Sequence, residues 1–180
     1  MISLHIILLI FVVLFGIIGS MRGWAKEVLV TFSVILAMFT LTILETFVPF
    51  FKEIVKTASP ASLFWIRSGI LCGLVFFGYQ TPKFPRLAES GKFIRNLLQD
   101  TLLGGFLGMI NGFLVMGTVW YFLHSSGYPF NFILAPDPAT TNGMASLNVI
   151  QFLPPSWLMT SPTIYIAVAV CFVIVLVVFI

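Results

Sequence analysis

Five long apolar segments dominate this chain and restrict what it can fold into. The last of them contains the run IAVAVCFVIVLVVFI, which has no charged or amide side chain on any helical face. A helix needs about 20 apolar residues to cross the roughly 30 Å hydrocarbon core of a bilayer. Each segment is at or close to that length. The segments are residues 4–20, 25–48, 61–79, 101–123 and 162–180.

Helices are the structure predicted for all five segments. Strands of a membrane barrel would alternate apolar and polar residues, and lipid offers no water to satisfy an open backbone. The composition agrees, because 59% of the residues are hydrophobic and only 8% are charged, against about a quarter charged in a soluble domain. We therefore predict an all-α, polytopic transmembrane bundle of about five spans with short interfacial amphipathic helices.

Lys and Arg are distributed unequally between the two sides of such a bundle. The connection over residues 124–161 has no Lys or Arg. An excess of basic residues marks the cytoplasmic side, so we predict a multi-pass membrane protein with its N-terminus outside and its C-terminus in the cytoplasm. The net charge of +3 is too small to indicate a nucleic-acid partner. One side has Arg22, Lys26, Lys83, Arg86, Lys92 and Arg95, and the other has Lys52, Lys56 and Arg67.

The chain divides into a transmembrane core over 1–125, an external loop over 126–161 and a C-terminal span over 162–180. Apolar residues in TFVPFFKEIVKTA recur at helical spacing and predict an external interfacial helix. ESGKFIRNLLQD predicts either a similar cytoplasmic helix or an amphipathic entry to the next span. The external loop is rich in Pro and Asn and is expected to be irregular. Its stretch MASLNVIQFLPPSWL could enter the headgroup region or meet a partner.

Glycines recur at four-residue spacing in three of the predicted spans. Such a spacing leaves a helix face without side chains, so that another backbone can approach closely. We expect these three spans to pack through the helix faces that their glycines form. The contacts would lie either within one chain or between two copies of it. The glycines are Gly16, Gly19 and Gly23 in the first, Gly69 and Gly73 in the third, and Gly104, Gly108 and Gly112 in the fourth.

Charged residues cluster where the first span ends and the fourth begins. Arg22, Lys26 and Glu27 are expected at the cytoplasmic interface. Asp100 opens the fourth span on the same side, which allows a pair with Arg22, although Arg22 and Lys26 could serve only as topology signals.

Other polar residues lie deeper or at the opposite side. Asn111 is the one amide deep in a predicted span. A hydrogen bond to another helix is favoured over a place in a polar path, which would need several such groups. Glu45 and Arg67 are expected to be interfacial rather than buried.

No constellation in the sequence indicates an enzyme. His5 and His124 lie at the ends of different spans, and metal, phosphate and nucleophile motifs are absent from the sequence. Cys72 and Cys171 lie in apolar runs and are interpreted as packing residues. We predict no catalytic residues, no cofactor and no metal.

The strings GSMRGWAKEVL and QDTLLGGFLGMINGFLVM resemble the CvpA family, the colicin V production proteins of bacterial inner membranes. The resemblance covers roughly residues 1–125. This sequence departs from the family pattern at two points. It has Asn111 where the family often has Arg, and it has a fifth predicted span where members commonly have four spans. The resemblance implies an integral protein of the bacterial inner membrane with a role in bacteriocin production or export and in envelope maintenance, and with no established chemistry. The matching residues are Arg22, Gly23, Lys26, Glu27, Asp100, Gly104, Gly108 and Gly112.

The leading hypothesis is therefore a non-enzymatic membrane protein of CvpA type that assists export, envelope integrity or the assembly of a membrane complex. It would contact membrane lipid and either a protein partner or a second copy through a glycine-rich face. One alternative is an accessory transmembrane subunit of a large photosynthetic or respiratory complex. Another is a small channel or transporter, which has only Asn111 as an intramembrane polar residue to support it.

Overall fold

A computed structural model of the chain describes residues 3–80 and 97–179, and these residues form helices and connecting turns. The all-α fold class is confirmed, because the described residues contain no strand. In chain order the helices are α1 (Leu4–Arg22), α2 (Trp24–Phe47), α3 (Pro49–Thr57), α4 (Pro60–Tyr79), α5 (Leu97–Ser125), α6 (Thr141–Ile150), α7 (Pro154–Leu158) and α8 (Thr163–Phe179).

Four of these helices, α1, α2, α4 and α5, are long and apolar enough to cross a membrane. The fifth predicted span is less regular. Helix α8 has 17 residues, which at about 1.5 Å per residue reach only about 25 Å. Together with α6 and α7 it would make a single span bent by 70°. The structure thus supports four crossings, or five if this bent unit is one of them.

Short connections control how neighbouring helices meet. Gly23 alone separates α1 from α2, and its φ of 84° lies in the left-handed region that favours glycine. The short helix predicted after the second span is present as α3, which begins at Pro49 and buries Phe51. Most of the amphipathic segment predicted over 89–100 lies outside the described residues.

Helix α2 lies at the centre of the core. Its residues Val30, Val34, Met38 and Leu41 are completely buried, and their spacing of three or four residues places them on one face. This face packs against α4 and α5. Helix α1 is peripheral, because it packs mainly on α5 and leaves side chains such as Leu9 64% exposed.

The prediction of an irregular loop over 126–161 is wrong for its second half, which contains α6 and α7. The Thr140 side chain accepts a hydrogen bond from the Gly143 N–H (3.0 Å) and caps α6. Buried Ile150 and Leu153 then join Leu8 and Trp120 in a second, smaller core. Burial of these apolar side chains against α1 and α5 stabilises α6 and α7. The turn-rich composition of the segment gave no indication of this burial.

Candidate functional site

A buried ion pair links the end of α1 to the beginning of α2. The guanidinium of Arg22 donates a hydrogen bond from Nη1 to Oε1 of Glu27 (2.7 Å) and another from Nη2 to the carbonyl oxygen of Tyr79 (3.1 Å). It also lies 4.3 Å from the centroid of the Tyr79 ring, within the range of a cation–π interaction. One arginine therefore holds α1, α2 and α4 together.

The second carboxylate oxygen of Glu27 binds α5. Nδ2 of Asn111 donates to Oε2 of Glu27 (2.8 Å) and lies 3.0 Å from the Glu27 carbonyl oxygen. The Thr31 hydroxyl lies 2.7 Å from Oδ1 of Asn111 and 3.0 Å from the Glu27 carbonyl oxygen. Glu27 and Asn111 are both completely buried. The interhelical hydrogen bond predicted for Asn111 is thus present. We call Arg22, Glu27, Thr31, Tyr79 and Asn111 the polar clamp.

Asp100 supports the same end of the bundle but does not pair with Arg22 in the described contacts. Its Oδ1 accepts a hydrogen bond from the Trp24 N–H (3.0 Å), which ties the first turn of α5 to the first turn of α2. A Cβ atom on Gly23 would lie 2.6 Å from Oδ2 of Asp100. Glycine is therefore required there by both the backbone conformation and the space.

Glu27, predicted at the cytoplasmic interface, has no exposed surface and lies between helices, whereas Lys26 is exposed. Glu27 lies three residues before Val30 and seven before Val34, on the buried face of α2. That spacing was the available signal. The only partner considered for Arg22 from the sequence was Asp100, and the helical spacing of Glu27 from the buried residues of α2 points to the other carboxylate.

The glycines of the first and fourth spans bring α1 and α5 into backbone contact. A Cβ atom on Gly19 would lie 2.8 Å from Cα of Gly108 and would also overlap the carbonyl oxygen of Gly104. On Gly112 it would lie 2.7 Å from Cβ of Phe15, and on Gly16 2.7 Å from Cγ of Met109. The glycine face of α5 is thus occupied by α1 of the same chain rather than by a second copy.

The third span does not follow this prediction. A Cβ atom added to Gly69 or Gly73 would meet no described atom within 4 Å. Helix α4 instead buries larger side chains, including Leu71 and Val75. Its close approach to α2 occurs at Gly78, where an added Cβ would lie 2.5 Å from Cβ of Ser33. Gly78 stands outside the four-residue spacing of Gly69 and Gly73, so that pattern did not reveal it.

A second ion pair connects α2 and α4 nearer their other ends. Arg67 donates from Nε to Oε1 of Glu45 (2.7 Å) and from Nη2 to Oε2 (3.1 Å). Such a two-bond arrangement matches the planar guanidinium to the carboxylate. The side chains are 15% and 25% exposed, respectively. Both residues are thus partly exposed and paired with each other, and their interfacial position stays a prediction.

The remaining candidate residues do not assemble into a reactive group. Nδ1 of His5 lies 3.0 Å from the Ser146 hydroxyl oxygen, and the rings of His124 and Tyr128 pack edge to face. Cys72 and Cys171 are free thiols. Within residues 3–80 and 97–179, no three His, Cys, Asp or Glu side chains lie together as a metal site would need.

The polar clamp can position helices, and its groups are poorly placed for chemistry on another molecule. Glu27 uses both carboxylate oxygens within the bundle. The Tyr79 hydroxyl is buried and has no hydrogen-bond partner among the described residues. The chain matches no family model, no curated protein and no solved structure. The resemblance to the CvpA family therefore remains a prediction from the residues that suggested it.

Proposed function

We propose that this chain is a non-enzymatic integral membrane protein of the CvpA type. In this role it assists bacteriocin production or export, envelope maintenance or the assembly of a membrane complex. The observation that carries the proposal is that the polar groups of the clamp are hydrogen-bonded to one another inside the bundle. Glu27 is the one completely buried carboxylate among the described residues, and both its oxygens are bonded to side chains of the same bundle. A transport path would instead need open polar groups along its length.

The outer surface of the bundle supports a role in contact with other membrane components. Helix α1 exposes Leu9, Val13 and Ile17 by at least half of their surfaces, a surface suited to lipid or to a partner helix. The partner, a protein or a second copy, would meet a glycine-rich face. Of the predicted glycines, Gly69 and Gly73 are those left open by the described residues.

The function is tested by isolating the protein from its native membrane in lipid nanodiscs and measuring its mass and composition. We expect a defined assembly that includes export or envelope proteins, and loss of the gene should lower bacteriocin secretion or envelope integrity. Co-purification with photosynthetic or respiratory subunits would contradict the proposal and favour the accessory role. Wild-type protein in liposomes should give no ion flux. Flux that Asn111→Leu abolishes would favour a channel instead.

The orientation is tested by cysteine labelling in whole cells. In a background that carries Cys72→Ala and Cys171→Ala, we expect a membrane-impermeant maleimide to label Thr141→Cys. Lys26→Cys should react only after the membrane is opened, because the basic end of the bundle is proposed to be cytoplasmic. Both positions are exposed in the structure. Labelling of Lys26→Cys alone in intact cells would reverse the proposed orientation.

A further inference from the structure

Two adjoining cavities lie at the end of the bundle opposite the polar clamp. The first encloses about 690 Å³ between the beginning of α1, the end of α5, Phe64 of α4 and residues 131–134. The second encloses about 370 Å³ against the loop that precedes α6 and against α6 itself. Leu4 and Leu134 line both cavities. The larger cavity is within the size range of small-molecule sites.

The larger cavity, which we call the apolar chamber, has a wall suited to a hydrocarbon chain. Asn131 is the one amide among its described lining residues. The indole N–H of Trp120 already donates to the Tyr128 hydroxyl (3.3 Å), so it is not free for a ligand. Burial raises the pKa of Tyr128, and this phenol therefore stays neutral near pH 7. The chamber lies beside two membrane-spanning helices, where lipid chains are the available apolar molecules.

The smaller cavity, which we call the polar chamber, has hydrogen-bonding groups and one charge. Asp137 is the single charged side chain in the whole connection over residues 124–161. It is exposed, and its Oδ1 accepts a hydrogen bond from the Ala139 N–H (2.8 Å). A carboxylate without a neighbouring cation in this segment favours an amine over an anionic group. The lining includes Ser3, Asp137, Thr140, Asn142 and Ser146.

We propose that the two chambers together bind one membrane phospholipid with a primary amine in its headgroup. An acyl chain occupies the apolar chamber, and the headgroup lies in the polar chamber with its ammonium group facing Asp137. The shared lining residues Leu4 and Leu134 mark the passage from chain to headgroup. This site goes beyond the proposed function and does not depend on it.

The proposal is tested by native mass spectrometry of the full chain from nanodiscs of equal parts phosphatidylethanolamine and phosphatidylglycerol. We expect one retained phosphatidylethanolamine per chain, with a preference of about tenfold over phosphatidylglycerol. Asp137→Asn should abolish the preference, since the amide keeps the acceptor oxygen but lacks the charge. Glu53→Gln, at an exposed site on α3, is the matched control and should keep it. Equal retention of the two lipids by the wild-type chain would overturn the proposal.

The apolar chamber is tested by adding side-chain volume to its wall. Val119→Phe on α5 and Ile7→Phe on α1 should each lower lipid retention about tenfold. Ile166→Phe on the outer face of α8, where Ile166 is 59% exposed, should not change it. Two chamber variants on different helices separate a filled site from a folding defect, which circular dichroism would also detect. Equal retention in all three variants, or a second copy of the chain bound in place of lipid, would refute the proposed site.

Discussion

The Gly108→Leu variant is expected to lose at least about 3 kcal/mol of unfolding free energy, the upper part of the range for overpacked interiors. A Cβ atom at this position would lie 3.0 Å from Cα of Gly19 and 3.1 Å from the carbonyl carbon of Phe15. Backbone atoms cannot rotate away as a side chain can, so α1 and α5 would have to separate. Reversible unfolding in mixed detergent micelles would measure the loss.

Gly73→Leu is the matched control for that experiment. It adds the same side chain to another membrane-spanning helix, where an added Cβ meets no described atom within 4 Å. We expect a change within about 0.5 kcal/mol. Equal destabilisation by the two variants would mean that leucine weakens any helix of this bundle. The specific contact between α1 and α5 would then not be its cause.

Removing one partner of the buried ion pair should also have a large effect. Glu27→Leu leaves the Arg22 guanidinium without its carboxylate and takes an acceptor from Asn111. We expect each single variant, Glu27→Leu or Arg22→Leu, to lower the unfolding free energy by about 3 to 5 kcal/mol, as is typical of a buried charge that has lost its partner.

A double-mutant cycle would separate the pair from its surroundings. The variant with both Arg22→Leu and Glu27→Leu should lose much less than the sum of the single losses, because no unpaired charge remains. Glu53→Gln at the exposed pair with Lys56, whose atoms are 4.0 Å apart, should cost at most about 1 kcal/mol. Strictly additive losses at Arg22 and Glu27 would contradict the ion pair.

The spans could be predicted from the sequence because their signal is local. A run of apolar residues of membrane thickness indicates a helix whatever its neighbours are, and α3 followed from the helical spacing around Lys52. Residues 144–158 were harder to interpret. Pro and Asn indicated turns, while the stabilisation of α6 and α7 comes from contacts between Ile150, Leu153 and Trp120 that are distant in sequence.

The partners within the polar clamp could not be derived from the sequence in the same way. Arg22 has two acidic groups nearby, Glu27 and Asp100, and the sequence allowed a pair with Asp100. The choice depends on the turn at Gly23, which points the Trp24 N–H at Asp100 and leaves Glu27 to Arg22. Asn111 was correctly singled out as interhelical, but its acceptor on α2 required the register between α2 and α5.

The contact between α1 and α5 also has a consequence for how the protein is made. Gly19 emerges from the ribosome about 85 residues before Gly104, which at about 5 to 20 residues per second is a delay of roughly 4 to 17 s. During that time the face of α1 that bears Gly16 and Gly19 contacts lipid or the insertion machinery instead of α5. The contact between α1 and α5 can therefore form only late in biogenesis, once α5 has been synthesised.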